Sequence, residues 1–294
     1  MCDLLRNDMA EYVFLNGELV KAEEAQVSVY DGGLLHGVGL FETMRSYGGR
    51  VFRLEDHLER LYDSAGKLHL SISQKREDIG GAIEELLQKN ELEESRVRLT
   101  VTRGDIRQVR EEETAPGTMI ITAGEMVAYP MELYKYGMRV IISAYKQNPD
   151  EATIRHKTTN YMGRLLALQE AKQKQRGEAL WFTTTNRLAE GCISNIFLVK
   201  DEVLLTPPLD TPVLAGITRK AVLELARENE IKCEEKELLI KDLLDASEII
   251  LTNSIMELMP VCQVEAHKVA SERPGAVYKK LHELYQEKVK KECE

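Results

Sequence analysis

Two mixed α+β lobes joined by an irregular stretch are the fold that this sequence predicts, and three observations carry the expectation. Up to residue 125, two glycine-marked hairpins are followed by two segments of helical period and then two strands. A stretch with one proline and no clean period comes next. Beyond it, strands and helices start again as a second series. A length of 294 residues, 43% of them hydrophobic, suits two domains and allows a sizeable core.

In EYVFLNGELV, Asn16-Gly17 separates two alternating segments, the strongest short-range signal for a hairpin. LFETMRSYGGRVFRL repeats the design with Gly48-Gly49. EDHLERLYDSAGKL and REDIGGAIEELLQKN have helical periodicity, and RVRLTVTRG and TMIITAGEM return to strand alternation. Residues 1–125 are therefore expected to form a small N-terminal α+β domain. EMVAYPMELYKYGM supplies the connection at 126–138. Residues 139–294 are expected as a larger C-terminal domain, of α/β character, that carries Lys157. Its order is strand RVIISAY, a loop and helix around that lysine, strand EALWFTTTNRLAEG, hairpin SNIFLVKDEVLLTPP, helix GITRKAVLELARENE, strand EIILTNS and a terminal helix from about Pro274. The ending KVKKECE reads as a solvated helix terminus.

Composition removes several functions. A formal net charge of -10 disfavours a nonspecific grip on nucleic acid or on an anionic membrane. Five scattered cysteines, none at close spacing, indicate a reduced, cytoplasmic setting. No window approaches the roughly 18 apolar residues of a membrane helix, and the N-terminus lacks a basic segment followed by an apolar run. The six histidines show no metal-binding spacing, so no metal is expected, and His57 reads as a helix-surface or packing residue. Gly32, Gly33, Gly37 and Gly39 lead into a strand, which excludes a Rossmann turn and leaves them as turn residues; a P-loop and a G-x-S-x-G elbow are also absent.

The stretch IRHKTTNYMGRLLALQEAK places Lys157 just outside a helix whose expected cap is Thr159 or Asn160 and whose Tyr161, Leu165 and Leu168 share a face. Downstream, AEGCISNIF carries Glu190 at the end of an apolar strand, where burial would be costly without a cationic partner. AGITRK sets Thr218 at the mouth of a helix, offering N–H groups and a hydroxyl to phosphate. LTNSIMELMPV places Thr252, Asn253 and Ser254 after another apolar strand, again suited to phosphate oxygens. A reactive amine, a lone carboxylate and two phosphate cradles are together what pyridoxal 5'-phosphate requires.

The ordered set FETMRSYGGRVFRLEDHLERL, HKTTNYM, LAEGCISNIFLV, DTPVLAGITR and TNSIMELMPV resembles the class IV aminotransferases, the fold type IV pyridoxal phosphate enzymes. That family includes branched-chain aminotransferase, D-amino acid aminotransferase and 4-amino-4-deoxychorismate lyase. The resemblance runs from about Tyr12 to Val264 and implies a two-domain fold and a homodimer acting on a small amine or carboxylate substrate. It implies that Lys157 is the Schiff-base lysine and proton carrier, and that Glu190 pairs with the pyridine nitrogen. Arg60, Ile217, Thr218 and Ser254 would hold the phosphate, with Tyr161 near the phenolic oxygen. Arg98, Arg103 and Arg107 are candidates for the substrate carboxylate, with nothing in the sequence to rank them.

Two local features resemble the lyase. Phe41-Glu42-Thr43 has the threonine implicated in elimination, and TNSIMELMPV is closer to the lyase version of its motif. Thr43 is equally a simple β-former. Against the lyase, TRGDIRQVR lacks the glycine-rich continuation of that subfamily, and KTTNY keeps the tyrosine of transaminases. Aminodeoxychorismate lyase is the first expectation, a branched-chain or D-amino acid aminotransferase the second, and a non-catalytic binding protein on the same fold the third.

Overall fold

The computed structural model describes residues 11–108, 117–269 and 274–293. The N-terminal segment with Cys2, Val109 and Arg110 of TRGDIRQVR, and Glu294 lie outside them. The chain divides into two compact units. The first runs to Val127 and also takes in His156–Asn160 and the stretch from Val289; the second comprises Ala128–Arg155 and Tyr161–Lys288. The expected division gave Lys157 to the C-terminal domain. Its pentapeptide instead clusters with the first unit, because it hydrogen-bonds to a strand there.

The first unit is built on a six-stranded antiparallel sheet of β1 (Tyr12–Leu15), β2 (Glu18–Lys21), β3 (Gly39–Tyr47), β4 (Arg50–Val51), β5 (Ser95–Thr102) and β6 (Met119–Glu125), in the order β2-β1-β6-β5-β3-β4. Both hairpins form as read. Asn16 and Gly17 take φ of 53° and 110°, the left-handed backbone that such a tight turn demands. Helices α1 (Gly32–His36), α2 (Leu54–Lys67) and α3 (Arg76–Lys89) complete the unit. Leu40 and Met44 of β3, with Val97 and Leu99 of β5, pack against Leu58, Leu61, Ile83 and Leu86 of α2 and α3. Strand alternation sends Phe41, Thr43 and Arg98 to the opposite face, where Thr43 and Arg98 are register partners. The glycine cluster does more than turn: Gly32 and Gly33 form the first turn of α1, capped by Asp31, and Gly37 closes it with φ of 67°.

The second unit holds a nine-stranded mixed sheet of β7 (Met138–Gln147), β8 (Glu178–Thr183), β9 (Leu188–Gly191), β10 (Asn195–Lys200), β11 (Val203–Thr206), β12 (Cys233–Glu235), β13 (Glu248–Asn253), β14 (Glu257–Val264) and β15 (His267–Lys268). Its order is β12-β11-β10-β13-β14-β7-β8-β9, with β15 beside β14. The helices are α4 (Met131–Tyr136), α5 (Met162–Gln173), α6 (Ile217–Glu228), α7 (Ile240–Leu244) and α8 (Ala276–Cys293). No helix of the described residues is long and apolar enough to cross a membrane, and no group of acidic, His or Cys side chains among them is arranged to hold a metal.

Several expectations are corrected here. The connection after residue 125 contains α4. EALWFTTTNRLAEG is two strands, because Asn186 turns the chain at φ 61° and β8 pairs back on β9. Tyr161 is the residue that caps α5; the Thr159 hydroxyl donates to the Gly37 carbonyl instead. The buried stripe of α5 is Ala167 and Ala171 with Leu168, set against Ile141, Ala179 and Trp181, while Leu165 is exposed. Small alanines let the helix approach the sheet closely, which leucines would not. The C-terminus is not solvated all round, since Val289 and Cys293 are buried.

Candidate active site

In the first unit, the loop carrying Lys157 is zipped onto the start of β3. The Phe41 N–H donates to the Lys157 carbonyl at 2.8 Å, and the Thr159 N–H donates to Gly39 at 2.9 Å. This fixes the backbone on either side of the lysine. Lys157 Nζ then sits 4.6 Å from the centroid of the Phe41 ring, and Arg98 Cζ lies 3.4 Å from the same centroid. One aromatic ring thus serves two cations, an arrangement its quadrupole favours. Thr43 is beside Arg98 on this face. Arg107 is placed differently: it is 60% exposed, bound to Asp105 at 2.6 Å and stacked on Tyr30. Arg103 lies in the loop after β5, its N–H on Val38.

Arg60 is tied to a group that sequence reasoning missed. Its guanidinium grips Glu42 through Nε at 2.8 Å and Nη2 at 2.5 Å, and His57 Nδ1 lies 2.8 Å from the same carboxylate. Burial alone would raise Glu42, but the Arg60 charge and the His57 hydrogen bond hold it at about 2. Burial lowers His57, so at neutral pH its Nδ1–H donates as a neutral imidazole. His57 is therefore a buried partner of Glu42, not a helix-surface residue. A signal did exist in the sequence: alternation puts Glu42 on the core face with Leu40 and Met44, where a carboxylate needs a cation, and His57 and Arg60 share one helix face.

In the second unit, β9 ends in Glu190, which is 3% exposed. Four donors hold it. Arg164 Nη2 reaches Oε1 at 2.6 Å and Gln147 Nε2 the same oxygen at 3.2 Å; the Leu214 N–H reaches Oε2 at 2.9 Å and Asn195 Nδ2 at 3.4 Å. Arg164 is the cationic partner that burial of this carboxylate demanded. The loop that follows is pinned by Glu178, a second buried carboxylate, which accepts from the N–H groups of Cys192 and Ile193 and from the Ser194 hydroxyl. The Tyr161 hydroxyl donates to the Cys192 carbonyl at 2.9 Å, and burial raises its pKa, so it stays protonated.

The other residues expected at the phosphate, Ile217, Thr218 and Ser254, lie in the second unit. Gly216 caps α6 without a side-chain hydrogen bond, which leaves first-turn N–H groups open to an anion at the positive end of a 12-residue helix. Ile217 and Thr218 stand in that turn, both buried. A Cβ at Gly216 would collide with the Asn195 side chain, which would have to move aside. Asn195 is in register with Thr252 across β10 and β13, and the buried Thr252 hydroxyl has no hydrogen-bond partner within the described residues. An orphaned hydroxyl and an uncapped helix fit a phosphate. Asn253 does not join them: its side chain serves the Ile255 and Met256 N–H groups and the Ile193 carbonyl. Ser254 follows it in the turn, half-buried.

Comparison with known proteins gives this geometry its lineage. The family model described as Amino-transferase class IV matches residues 39–264. The chain is 35% identical over 278 residues to an inferred branched-chain-amino-acid aminotransferase of Methanocaldococcus jannaschii, covering 94% of this chain and 95% of that protein. It is 29% identical to the aminodeoxychorismate lyase of Bacillus subtilis, covering 95% and 94%. Among solved structures, the branched-chain amino acid aminotransferase of Escherichia coli superposes with a TM-score of 0.91 at 31% identity, covering 97% of this chain and 96% of that one. The chain belongs to the class IV aminotransferase family of pyridoxal-phosphate-dependent enzymes.

Proposed function

We propose that this enzyme exchanges an amino group between an α-amino acid and a 2-oxo acid. The observation that carries the reading is the Phe41 ring shared by Lys157 and Arg98. Because both cations touch one ring, their separation cannot exceed the sum of the two ring distances. That span suits an amine and a carboxylate borne on one carbon, with a hydrogen bond at each end. A carboxylate set across a six-membered ring from the amine, as in aminodeoxychorismate, would ask for the two cations to stand further apart. The transaminase relatives lean the same way, which moves the lyase from first place to second.

Pyridoxal phosphate, when bound, supplies an aldehyde that carries the amino group and a ring that accepts the electron pair left at the reacting carbon. The protein supplies the rest. Lys157 Nζ takes the proton from the amine-bearing carbon and returns it, the part of a general base. Arg98 binds the carboxylate and orients that carbon. Glu190 would face the ring nitrogen, its carboxylate fixed by donors on both oxygens. In the second unit Ile217, Thr218, Thr252 and Ser254 would hold phosphate, and Tyr161 would have to turn from Cys192 to reach a phenolic oxygen.

The lyase reading keeps one specific observation, Thr43 in register beside Arg98, where a hydroxyl can reach a substrate bound to that arginine. The two readings separate in one assay: purified enzyme receives either aminodeoxychorismate or an amino acid plus 2-oxoglutarate. Glutamate is the expected product; pyruvate with 4-aminobenzoate and no amino exchange would overturn the reading. Lys157→Ala should lower turnover by about 10³-fold, the scale of a lost general base, and should leave borohydride no lysine to fix to the cofactor.

A further inference from the structure

We propose that Arg164 is a positioning residue that acts through Glu190, holding that carboxylate aimed at the place where the ring nitrogen of pyridoxal phosphate would lie. The inference rests on the role proposed for Glu190. Three contacts of one guanidinium carry it: Arg164 Nη2 on Glu190 Oε1 at 2.6 Å, and Nη1 on the carbonyls of Gly191 and Cys192 at 2.9 and 3.1 Å. The arginine therefore grips both the carboxylate and the backbone that follows it. It leaves Oε2 to the weaker hold of Asn195 and the Leu214 N–H.

A guanidinium presents its donors in a fixed planar fork, so one group sets the direction of the carboxylate and of the backbone after it together. Without it, a carboxylate buried to this depth has only amide donors to fix its direction. Arg164 thus decides the aim of Glu190 without touching the ring. Tyr161, Glu178 and Cys192 also face this pair, and each is engaged in hydrogen bonds within the unit. The chain carries its own reporter here. Its single tryptophan, Trp181, lies 5.6 Å from Arg164 Cζ and donates to Cys192 Sγ.

The test measures the dissociation constant of pyridoxal phosphate at pH 7.5 for the wild type, Arg164→Met, Arg164→Lys, Glu190→Gln and the Met/Gln double variant. Trp181 emission and thermal midpoint of each apoprotein are recorded alongside. Arg164→Met should weaken binding about tenfold, because Glu190 then keeps only amide donors and loses its aim. Arg164→Lys should recover part of the affinity, since an ammonium restores the ion pair but not the fork that also holds the backbone. The double variant should bind no worse than Glu190→Gln alone, since two residues acting on one function are not additive. Additive losses, or Arg164→Met binding as tight as the wild type, would overturn the inference while leaving the proposed function standing. If Arg164→Met shifts the apoprotein midpoint severely, the Lys variant and the additivity of the double variant still decide. A wild-type chain that takes up no pyridoxal phosphate would overturn both.

Discussion

At the scale of single residues, two buried carboxylates, Glu42 and Glu190, are each clasped by an arginine. Glu42 carries a pH signature. Its folded pKa of about 2 lies below the ordinary 4.5, so its contribution to stability is complete above 4.5 and is lost as pH falls toward 2. His57 adds in the same direction: its lowered pKa means that the unfolded chain takes up a proton first as pH drops below 6.5. Glu42→Gln should therefore cost about 3 kcal/mol at pH 7, the scale of a broken buried pair that strands Arg60. It should also flatten the acid limb between 4.5 and 2 in urea titrations. A variant with unchanged midpoint and an intact acid limb would show that Glu42 holds nothing. None of this network was legible from the residues one by one. Arg60 was assigned to phosphate by resemblance and His57 to a surface, because the cue is a relation between a strand position and a helix face far apart in the chain.

At the scale of elements, local chemistry was readable and long-range contact was not. Asn16-Gly17 and Gly48-Gly49 announced their hairpins because a tight turn needs left-handed backbone, a purely local demand. AGITRK announced the mouth of α6 because a small-residue turn precedes a clear helical period. What the period could not tell was which stripe of α5 turns inward. Tyr161, Leu165 and Leu168 make a plausible face, yet the sheet takes the alanine stripe, and Arg164 is carried inward to Glu190 from the same helix. Gly216 shows the same limit in miniature. Its φ of -69° suits any residue, so nothing in the backbone demands glycine; the demand comes from Asn195, brought there by β10. Gly216→Ala should push the Asn195 side chain off the Leu214 carbonyl and off Glu190, costing about 2 kcal/mol as an overpacked site does. Thermal midpoint and pyridoxal phosphate affinity should fall together. An unshifted midpoint would mean that Asn195 has room to turn away.

At the scale of the whole molecule, the first unit is assembled from three separated stretches of chain, and the last is the end of α8. That ending reads as charged and soluble, but its Val289 and Cys293 are buried, and Glu292 accepts from Arg53 through Nε at 3.2 Å and Nη2 at 3.3 Å. Arg53 caps α2 in left-handed backbone at φ 54°, a conformation that costs a non-glycine residue about 1 kcal/mol. It is held there from both sides, by Glu292 and by Asp56 at 3.3 Å. The terminal residues thus fasten the start of the helix that bears His57 and Arg60. Deleting residues 289–294 removes one buried valine, one buried cysteine and the outer clasp on Arg53, a loss of about 3 kcal/mol. The loss should be local. Amide hydrogen exchange over Leu54–Lys67 should accelerate while α6 keeps its protection, and Arg53→Ala should reproduce only the polar share of the change. Equal acceleration in both helices would mean that the ending supports the fold at large; unchanged exchange in α2 would mean that Arg53 keeps its backbone without help.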